Sequence, residues 1–196
     1  MNCDKEGIEK ASQIINQGGV VIFPTDTVYG IGCDPYNKAS IEKIYKIKSR
    51  HITKSVPVLT YSIEMAEKIA QFDQLAKKIV KKFWPGPLTV ILKVTDEKIK
   101  KSLNLENKIA IRVPDHKCTL ELLKKCNYLV GTSANISGDL PYTNPKECLK
   151  KMQDYDVFVD GGMITSNGES TIIEIENGEI KIIREGSLTK EEILQS

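Results

Sequence analysis

A short apolar segment that runs directly into a polar turn constrains the fold of this chain more than any other feature. Val20–Phe23 has the length and composition of a buried strand, and Pro24-Thr25-Asp26-Thr27 follows it at once. Small hydroxyl and carboxylate side chains at the end of a buried strand are typical of the sheet edge where α/β proteins bind small molecules. Gly30 and Gly32 would let backbone or ligand approach closely. The segment predicts either a strand with an ordinary polar turn or one wall of a binding site.

Helical and strand patterns alternate along the rest of the chain. Helices are predicted over residues 6–17, 40–48, 62–70, 73–83, 119–125 and 145–152, with a last short helix from residue 189. Strands are predicted over residues 20–23, 56–59, 88–94, 109–113, 128–131, 157–159, 171–175 and 179–183. Asn177-Gly178 predicts a tight hairpin between the last two strands, and Pro57 places its strand at an edge or bulge. The pattern predicts an α/β (α+β) fold, with a twisted mixed sheet flanked by helices.

Length and charge limit the classes of protein to which the chain can belong. Its 196 residues predict one domain, with a core over about residues 8–190. A formal net charge of +2 suits anionic ligands but is far weaker than that of a dedicated nucleic-acid binder. We see no signal peptide and no transmembrane span, so a cytoplasmic protein without membrane contact is expected.

The cysteines predict neither a metal site nor a disulfide framework. The chain contains Cys3, Cys33, Cys118, Cys126 and Cys148. Their number is odd, no Cys-x-x-Cys pair occurs, and there are only two histidines to complete a zinc site. We therefore expect reduced thiols and no protein-bound metal.

A basic group at the end of the second predicted helix could bind phosphates. The chain has no P-loop, no dinucleotide-binding glycine fingerprint and no nucleophile elbow, so phosphates would have to be bound in another way. Lys48-Ser49-Arg50, followed by Lys54, could simply complement the dipole at a helix C-terminus. Alternatively, it forms a cationic clamp, because alternate side chains of an extended loop point the same way.

Other polar residues lie beside the ends of predicted strands. Arg112 ends an apolar strand and predicts either a structural ion pair or a bidentate grip on a carboxylate or phosphate. Thr132-Ser133-Ala134-Asn135 and Gly168-Glu169-Ser170-Thr171 are either capped turns or ligand contacts. Arg184 again places a charge at a strand end.

Taken in order, these motifs resemble the YrdC family, the threonylcarbamoyl-AMP synthases. The matching segments are Pro24-Thr25-Asp26-Thr27-Val28-Tyr29-Gly30, Lys48-Ser49-Arg50, Trp84-Pro85-Gly86-Pro87-Leu88-Thr89, Ile111-Arg112-Val113-Pro114, Ser133-Ala134-Asn135, Ser170-Thr171-Ile172 and Arg184. The resemblance covers nearly the whole chain and is to the short, single-domain form of the family. It implies a YrdC-like fold around a concave basic cleft.

The resemblance also implies an activity. L-threonine, bicarbonate and ATP, with Mg²⁺ accompanying the ATP, would give threonylcarbamoyl-AMP and pyrophosphate. The product would pass to a tRNA threonylcarbamoyl transferase complex, which modifies the adenosine next to the anticodon. A weak contact with tRNA itself would be compatible with this role.

Matching the family's motifs implies roles for individual residues. Thr27 and Ser170 would contact the threonine moiety, and Arg112 would bind its carboxylate. The nucleotide would be bound by Lys48, Arg50, Lys54, Ser133, Asn135, Pro141 and Arg184. Lys48 and Arg50 would also be catalytic, because they would stabilise charge at the α-phosphate and the leaving group. Leu59 departs from the pattern, since many relatives have histidine there.

Two other functions fit the same residues. One is a non-catalytic module that binds tRNA or double-stranded RNA, although basic residues interleaved with exposed aromatic platforms are not evident. The other is an accessory carbamoyltransferase domain, as found in hydrogenase-maturation proteins, whose chains are much longer.

Overall fold

A computed structural model of the chain describes residues 1–52, 54–166 and 168–195. Within this part the helices are α1 (Lys5–Asn16), α2 (Lys38–Ile47), α3 (Ile63–Ala66), α4 (Gln74–Phe83), α5 (Glu97–Ser102), α6 (Lys117–Cys126), α7 (Pro145–Lys151) and α8 (Lys190–Leu194). The strands are β1 (Val21–Phe23), β2 (Gly30–Gly32), β3 (Val58–Thr60), β4 (Ala70–Gln71), β5 (Leu88–Val94), β6 (Lys108–Arg112), β7 (Tyr128–Val130), β8 (Thr132–Ser133), β9 (Val157–Phe158), β10 (Thr171–Glu176) and β11 (Glu179–Arg184).

Polar side chains at the N-caps set where most of these helices begin. Asp4 accepts a hydrogen bond from the backbone of Gly7 at the start of α1, and Asn37 and Asp73 cap α2 and α4 in the same way. The prediction of a helix over residues 62–70 is wrong in its second half. There α3 ends at Ala66, and Ala70–Gln71 pairs with β5, because Ile69 and Ala70 are buried against that strand.

The strands form two mixed sheets, which confirms the predicted mixed α/β fold. The smaller sheet has the order β8-β2-β1-β9. The larger sheet has the order β11-β10-β5-β6-β3-β7, with β4 also paired to β5. A Cβ on Gly32 would lie 2.0 Å from the carbonyl oxygen of Val130, so the close backbone approach predicted for this glycine is confirmed.

The predicted hairpin is confirmed, and the predicted position of Pro57 is wrong. Asn177 and Gly178 both have positive φ, 54° and 77°, as a two-residue turn between β10 and β11 requires. Strand β3 lies inside the larger sheet, between β6 and β7. The sheet tolerates Pro57 because this residue precedes β3 and contributes only its carbonyl, which accepts from the backbone of Gly131 at 2.9 Å.

The prediction that all cysteines are reduced is wrong for two of them. Cys3 and Cys118 form a disulfide between the segment before α1 and the first turn of α6, with Cα atoms 5.7 Å apart. Cys33, Cys126 and Cys148 are free thiols. The paired residues are 115 positions apart in sequence, so their proximity follows from the packing of α1 on α6.

No helix in the described ranges is long and apolar enough to cross a membrane. The main core contains residues of both sheets and of α2 to α5, α7 and α8, and a second apolar cluster joins α1 and α6 to β1, β3, β7 and β9.

Candidate active site

A cavity of about 410 Å³ opens where the two sheets meet. Phe23 and Ser133 contribute its wall on the smaller sheet, and Thr89, Arg112 and Arg184 contribute its wall on the larger sheet. Its volume lies within the range of roughly 300–1,000 Å³ that is usual for small-molecule sites. The sheet edge that the first sequence motif predicted as a binding wall therefore does border a cavity.

The structure brings seven of the ten predicted site residues together around this cavity. They are Thr27, Arg50, Lys54, Arg112, Ser133, Ser170 and Arg184. The other three, Lys48, Asn135 and Pro141, do not line it.

The cavity is strongly cationic. Arg50, Lys54, Arg112 and Arg184 line it, whereas Glu169 is the one acidic side chain among the described lining residues. An excess of positive charge between low-dielectric walls attracts anionic substrates.

Arg112 is the most tightly held of these cations. Its Nη2 donates to Asp26 Oδ1 at 2.5 Å, its Nη1 to Thr27 Oγ1 at 3.0 Å, and its Nε to the carbonyl of Gly86 at 3.0 Å. The side chain of Arg112 is nearly fully buried, which lowers its pKa, while the neighbouring Asp26 opposes that shift. Arg112 thus forms the structural ion pair predicted as one alternative and also borders the cavity, in a fixed orientation.

The turn after β1 is both a hydrogen-bonded turn and a wall of the cavity. Thr25 Oγ1 donates to the carbonyl of Val28 at 2.6 Å and accepts from the backbone of Thr27 and Val28. Thr27 Oγ1 lies 3.0 Å from Thr25 Oγ1 and reaches Arg112 on its other side. Tyr29 extends behind the turn, where its hydroxyl donates to the carbonyl of Gly162 at 2.8 Å. Thr27 is therefore presented to the cavity by a turn whose backbone is held by hydrogen bonds to Thr25.

Lys48 and Arg50 point in different directions, contrary to the prediction of an extended loop. Lys48 is the C-cap of α2, and Ser49 follows with a positive φ of 48°. This left-handed residue sends Arg50 towards the cavity, where its Nη2 donates to the carbonyl of Ser55 at 3.0 Å. Lys48, only 1% exposed, is directed into the protein.

Buried Lys48 holds the segment that follows β8. Its Nζ donates to the carbonyls of Ser133 and Asn135 and to Asn135 Oδ1. Asn135 in turn donates from Nδ2 to the carbonyl of Asp139 at 2.7 Å. Burial lowers the pKa of Lys48 to about 8, with a smaller contribution from Arg50, so the amine is still mostly charged at pH 7. Lys48 therefore positions Ser133 at the edge of the cavity.

Replacing Lys48 with methionine should destabilise the protein by about 2–4 kcal/mol, because buried carbonyl oxygens would lose their charged donor. The free energy of unfolding in urea measures this effect. Lys46→Met is the matched control, since Lys46 is exposed on the same helix. Equal stability of the two variants would contradict a role for Lys48 in holding this segment.

Comparison with known proteins identifies the family. A family model described as "Telomere recombination" and named for Sua5, YciO and YrdC matches residues 13–186. The chain belongs to the Sua5–YciO–YrdC family. This assignment confirms the resemblance read from the sequence motifs.

Relatives within the family support the assignment over most of the chain. A relative from Methanocaldococcus jannaschii, provisionally assigned as a threonylcarbamoyl-AMP synthase, is 38% identical over 93% of this chain and 86% of its own length. A threonylcarbamoyl-AMP synthase from Hydrogenovibrio crunogenus is 34% identical over 76% of this chain and 83% of its own. The crystal structure of P. abyssi Sua5 with L-threonine superposes with a TM-score of 0.88 at 29% identity, covering 96% of this chain and 56% of that one.

Leu59, which the resemblance singled out as a departure from the family pattern, lies on the cavity wall. It pairs with Arg112 across β3 and β6 and is almost fully buried. A Cβ on Gly131 would lie 2.4 Å from Leu59 Cδ1, so the glycine leaves room for this side chain. Leu59 therefore makes this part of the wall apolar.

The sequence analysis gave no individual role to Thr89 or Glu169, two of the polar residues that line the cavity. Thr89 Oγ1 lies 3.0 Å from Ser170 Oγ, and Glu169 binds Arg184 through Oε2 at 2.9 Å. The signal for Thr89 was a hydroxyl on an otherwise apolar, buried strand. Glu169 could have been identified in the sequence as a candidate site residue because it directly precedes Ser170.

Among residues 1–52, 54–166 and 168–195, no group of three or more His, Cys, Asp or Glu side chains is placed to hold a metal ion. Among the described residues, the charged and hydroxyl side chains that line the cavity are cations and alcohols, and Glu169 is the one carboxylate. This set suits phosphate oxygens better than a resident divalent cation, which prefers several carboxylate or carbonyl oxygens.

Proposed function

We propose that this chain is a threonylcarbamoyl-AMP synthase, which condenses L-threonine, bicarbonate and ATP to threonylcarbamoyl-AMP and pyrophosphate. The main support for the proposal is that one cavity is lined both by Arg112 with the hydroxyls of Thr27 and Ser170, and by a second group of cations, Arg50 and Lys54. The names of the relatives, and the threonine complex of P. abyssi Sua5, support the same activity.

The amino-acid end of the site is the corner formed by Thr27, Arg112 and Ser170. Arg112 is charged, buried and fixed by three hydrogen bonds, which suits binding of a carboxylate. Thr27 supplies a hydroxyl in contact with Arg112, and Ser170 supplies a second hydroxyl on the cavity wall. L-threonine would therefore lie with its carboxylate towards this corner.

The nucleotide end is formed by Arg50, Lys54 and Ser133, with Arg184 between the two ends. Arg50 and Lys54 neutralise phosphates, and Ser133 provides hydrogen bonds at the edge of the smaller sheet. Lys48 and Asn135 act here through the segment after β8, which they hold in place. Pro141 follows exposed Leu140 on the same loop, where it could pack over the nucleotide.

Charge neutralisation and alignment account for the chemistry. A carbamate oxygen attacks the α-phosphate and pyrophosphate leaves, so two anions must be brought together. Cations fixed before the reaction stabilise the charge that develops at the phosphate, and no histidine is needed as a proton carrier. Mg²⁺ enters as part of the MgATP substrate, held mostly by phosphates and water.

The direct test is to incubate the protein with MgATP, labelled bicarbonate and L-threonine, without RNA, and to detect labelled threonylcarbamoyl-AMP by mass spectrometry. Pyrophosphate release that depends on threonine is expected. A non-catalytic RNA-binding module would release none, and that result would contradict the proposal.

L-threonine should be used about 10 to 200 times more efficiently than L-serine. The two substrates differ by one methyl group, and an apolar wall such as the one with Leu59 and Ile172 discriminates a single methyl group by about that factor. Measurement of kcat/KM for both amino acids tests this expectation. Equal values would show that the methyl group does not contact the apolar wall.

In the cell, we propose that the product passes to a cytoplasmic tRNA threonylcarbamoyl transferase complex. An acyl adenylate hydrolyses readily, so direct transfer would protect it. The weak net charge of +2 is consistent with no more than a weak contact with tRNA.

A further inference from the structure

Glu169 lies in the cavity among cations and has no part in the proposed reaction. Of the described residues that line the cavity, it is the one acidic side chain, beside Arg50, Lys54, Arg112 and Arg184. Both proposed substrates other than threonine are purely anionic. A carboxylate in such a site weakens the binding of these anions. The presence of Glu169 therefore suggests that the site also binds a cationic group of a ligand.

The position of Glu169 is fixed by its neighbours. Its Oε2 accepts from Arg184 Nη1 at 2.9 Å, and its backbone carbonyl accepts from Ser187 N at 2.8 Å and from Ser187 Oγ at 3.0 Å. A Cβ on Gly186 would lie 2.3 Å from that carbonyl oxygen, so glycine permits the close approach. The carboxylate is thus held at the cavity by both its side chain and its backbone.

One carboxylate oxygen of Glu169 remains available. Oε1 has no hydrogen-bond partner among the described residues, and 36% of the side chain is exposed. Arg184 also donates from Nη2 to the carbonyl of Ser170 at 2.7 Å, so the same guanidinium ties Glu169 to the proposed threonine contact. Oε1 is therefore free to bind a cationic group of a ligand next to Ser170.

A free amino acid supplies such a group, since it enters as a zwitterion with an ammonium beside its carboxylate. Arg112 suits the carboxylate, and the remaining cations repel the ammonium. We propose that Glu169 binds the α-ammonium group of the amino-acid substrate and makes the site select amino acids over the corresponding hydroxy acids. This assignment rests on the proposed function, because it takes threonine as the substrate.

The test compares two ligands that differ only at the α-position, L-threonine and (2S,3R)-2,3-dihydroxybutanoate, by calorimetry on the wild-type protein and on Glu169→Gln. The glutamine keeps an oxygen for Arg184 but loses the negative charge. We expect the variant to bind threonine about tenfold more weakly and the anionic hydroxy acid at least as tightly as the wild-type protein does, because the repulsion from Glu169 is removed. Glu174→Gln is the matched control, because Glu174 pairs with Lys108 outside the cavity and should alter neither affinity.

The possible results separate this assignment from the proposed function. Equal weakening of both ligands would mean that Glu169 only shapes the site, and it would overturn the assignment. Unchanged threonine affinity with a higher Mg²⁺ requirement for turnover would also overturn it, in favour of a contact with MgATP. In both of these cases, the proposed function would still hold if the wild-type protein made threonylcarbamoyl-AMP. If the wild-type protein bound no threonine, both the assignment of Glu169 and the proposed function would be contradicted.

Discussion

Replacing Arg112 with alanine is expected to lower kcat/KM for threonine by about 10²–10³-fold and to destabilise the fold. The substitution removes the proposed partner of the substrate carboxylate. It also leaves the largely buried carboxylate of Asp26 without its ion-pair partner, and loss of one partner of such a pair typically costs about 3–5 kcal/mol. Threonine-dependent pyrophosphate release and thermal unfolding measure the two effects separately.

A double variant separates the binding role of Arg112 from its structural role. Asp26→Asn combined with Arg112→Ala removes both charges, so the stability should recover in large part while threonine turnover stays low. Recovery of turnover in the double variant would mean that Arg112 serves only to neutralise Asp26. Lys108→Ala is the control, because Lys108 is exposed on the same strand and pairs with Glu174 and Glu176.

The parts of the fold that sequence predicted best depend on local signals. Asn177-Gly178 can adopt the positive φ angles of a tight hairpin, and the apolar run before Pro24 has few alternatives to a buried strand. Arg112 could be singled out because a charge at the end of an apolar strand needs a partner. Each of these inferences uses residues within a few positions of one another.

The parts that sequence missed depend on contacts between distant segments. Asp26 and Arg112 are 86 residues apart, and Cys3 and Cys118 are 115 residues apart, so neither pairing follows from spacing. Ser49 adopts a left-handed conformation that non-glycine residues rarely take, so Lys48 and Arg50 do not point in the same direction as predicted. Family motifs in the sequence identified the seven predicted residues that line the cavity. The sequence could not show that these residues surround one cavity, because that depends on how the two sheets pack against each other.

Replacing Arg50 with alanine is expected to lower kcat by about 10²–10³-fold while changing threonine affinity by less than about threefold. Arg50 lines the nucleotide end of the cavity, away from the Asp26–Arg112 pair, and donates to the carbonyls of Lys54 and Ser55. A fixed donor aimed at developing charge contributes to the transition state more than to ground-state binding, and loss of one such donor commonly has this magnitude. Pyrophosphate release gives kcat, and calorimetry gives the affinity for threonine.

Lys46→Ala is the matched control for Arg50, because it removes an exposed cation from the last turn of α2 without touching the cavity. If both variants released pyrophosphate at the wild-type rate, Arg50 would have no part in the chemistry. If Arg50→Ala instead lost threonine affinity and kept kcat, the two ends of the cavity would have to be exchanged. The split between kcat and threonine affinity therefore tests the orientation of both substrates as well as the role of one arginine.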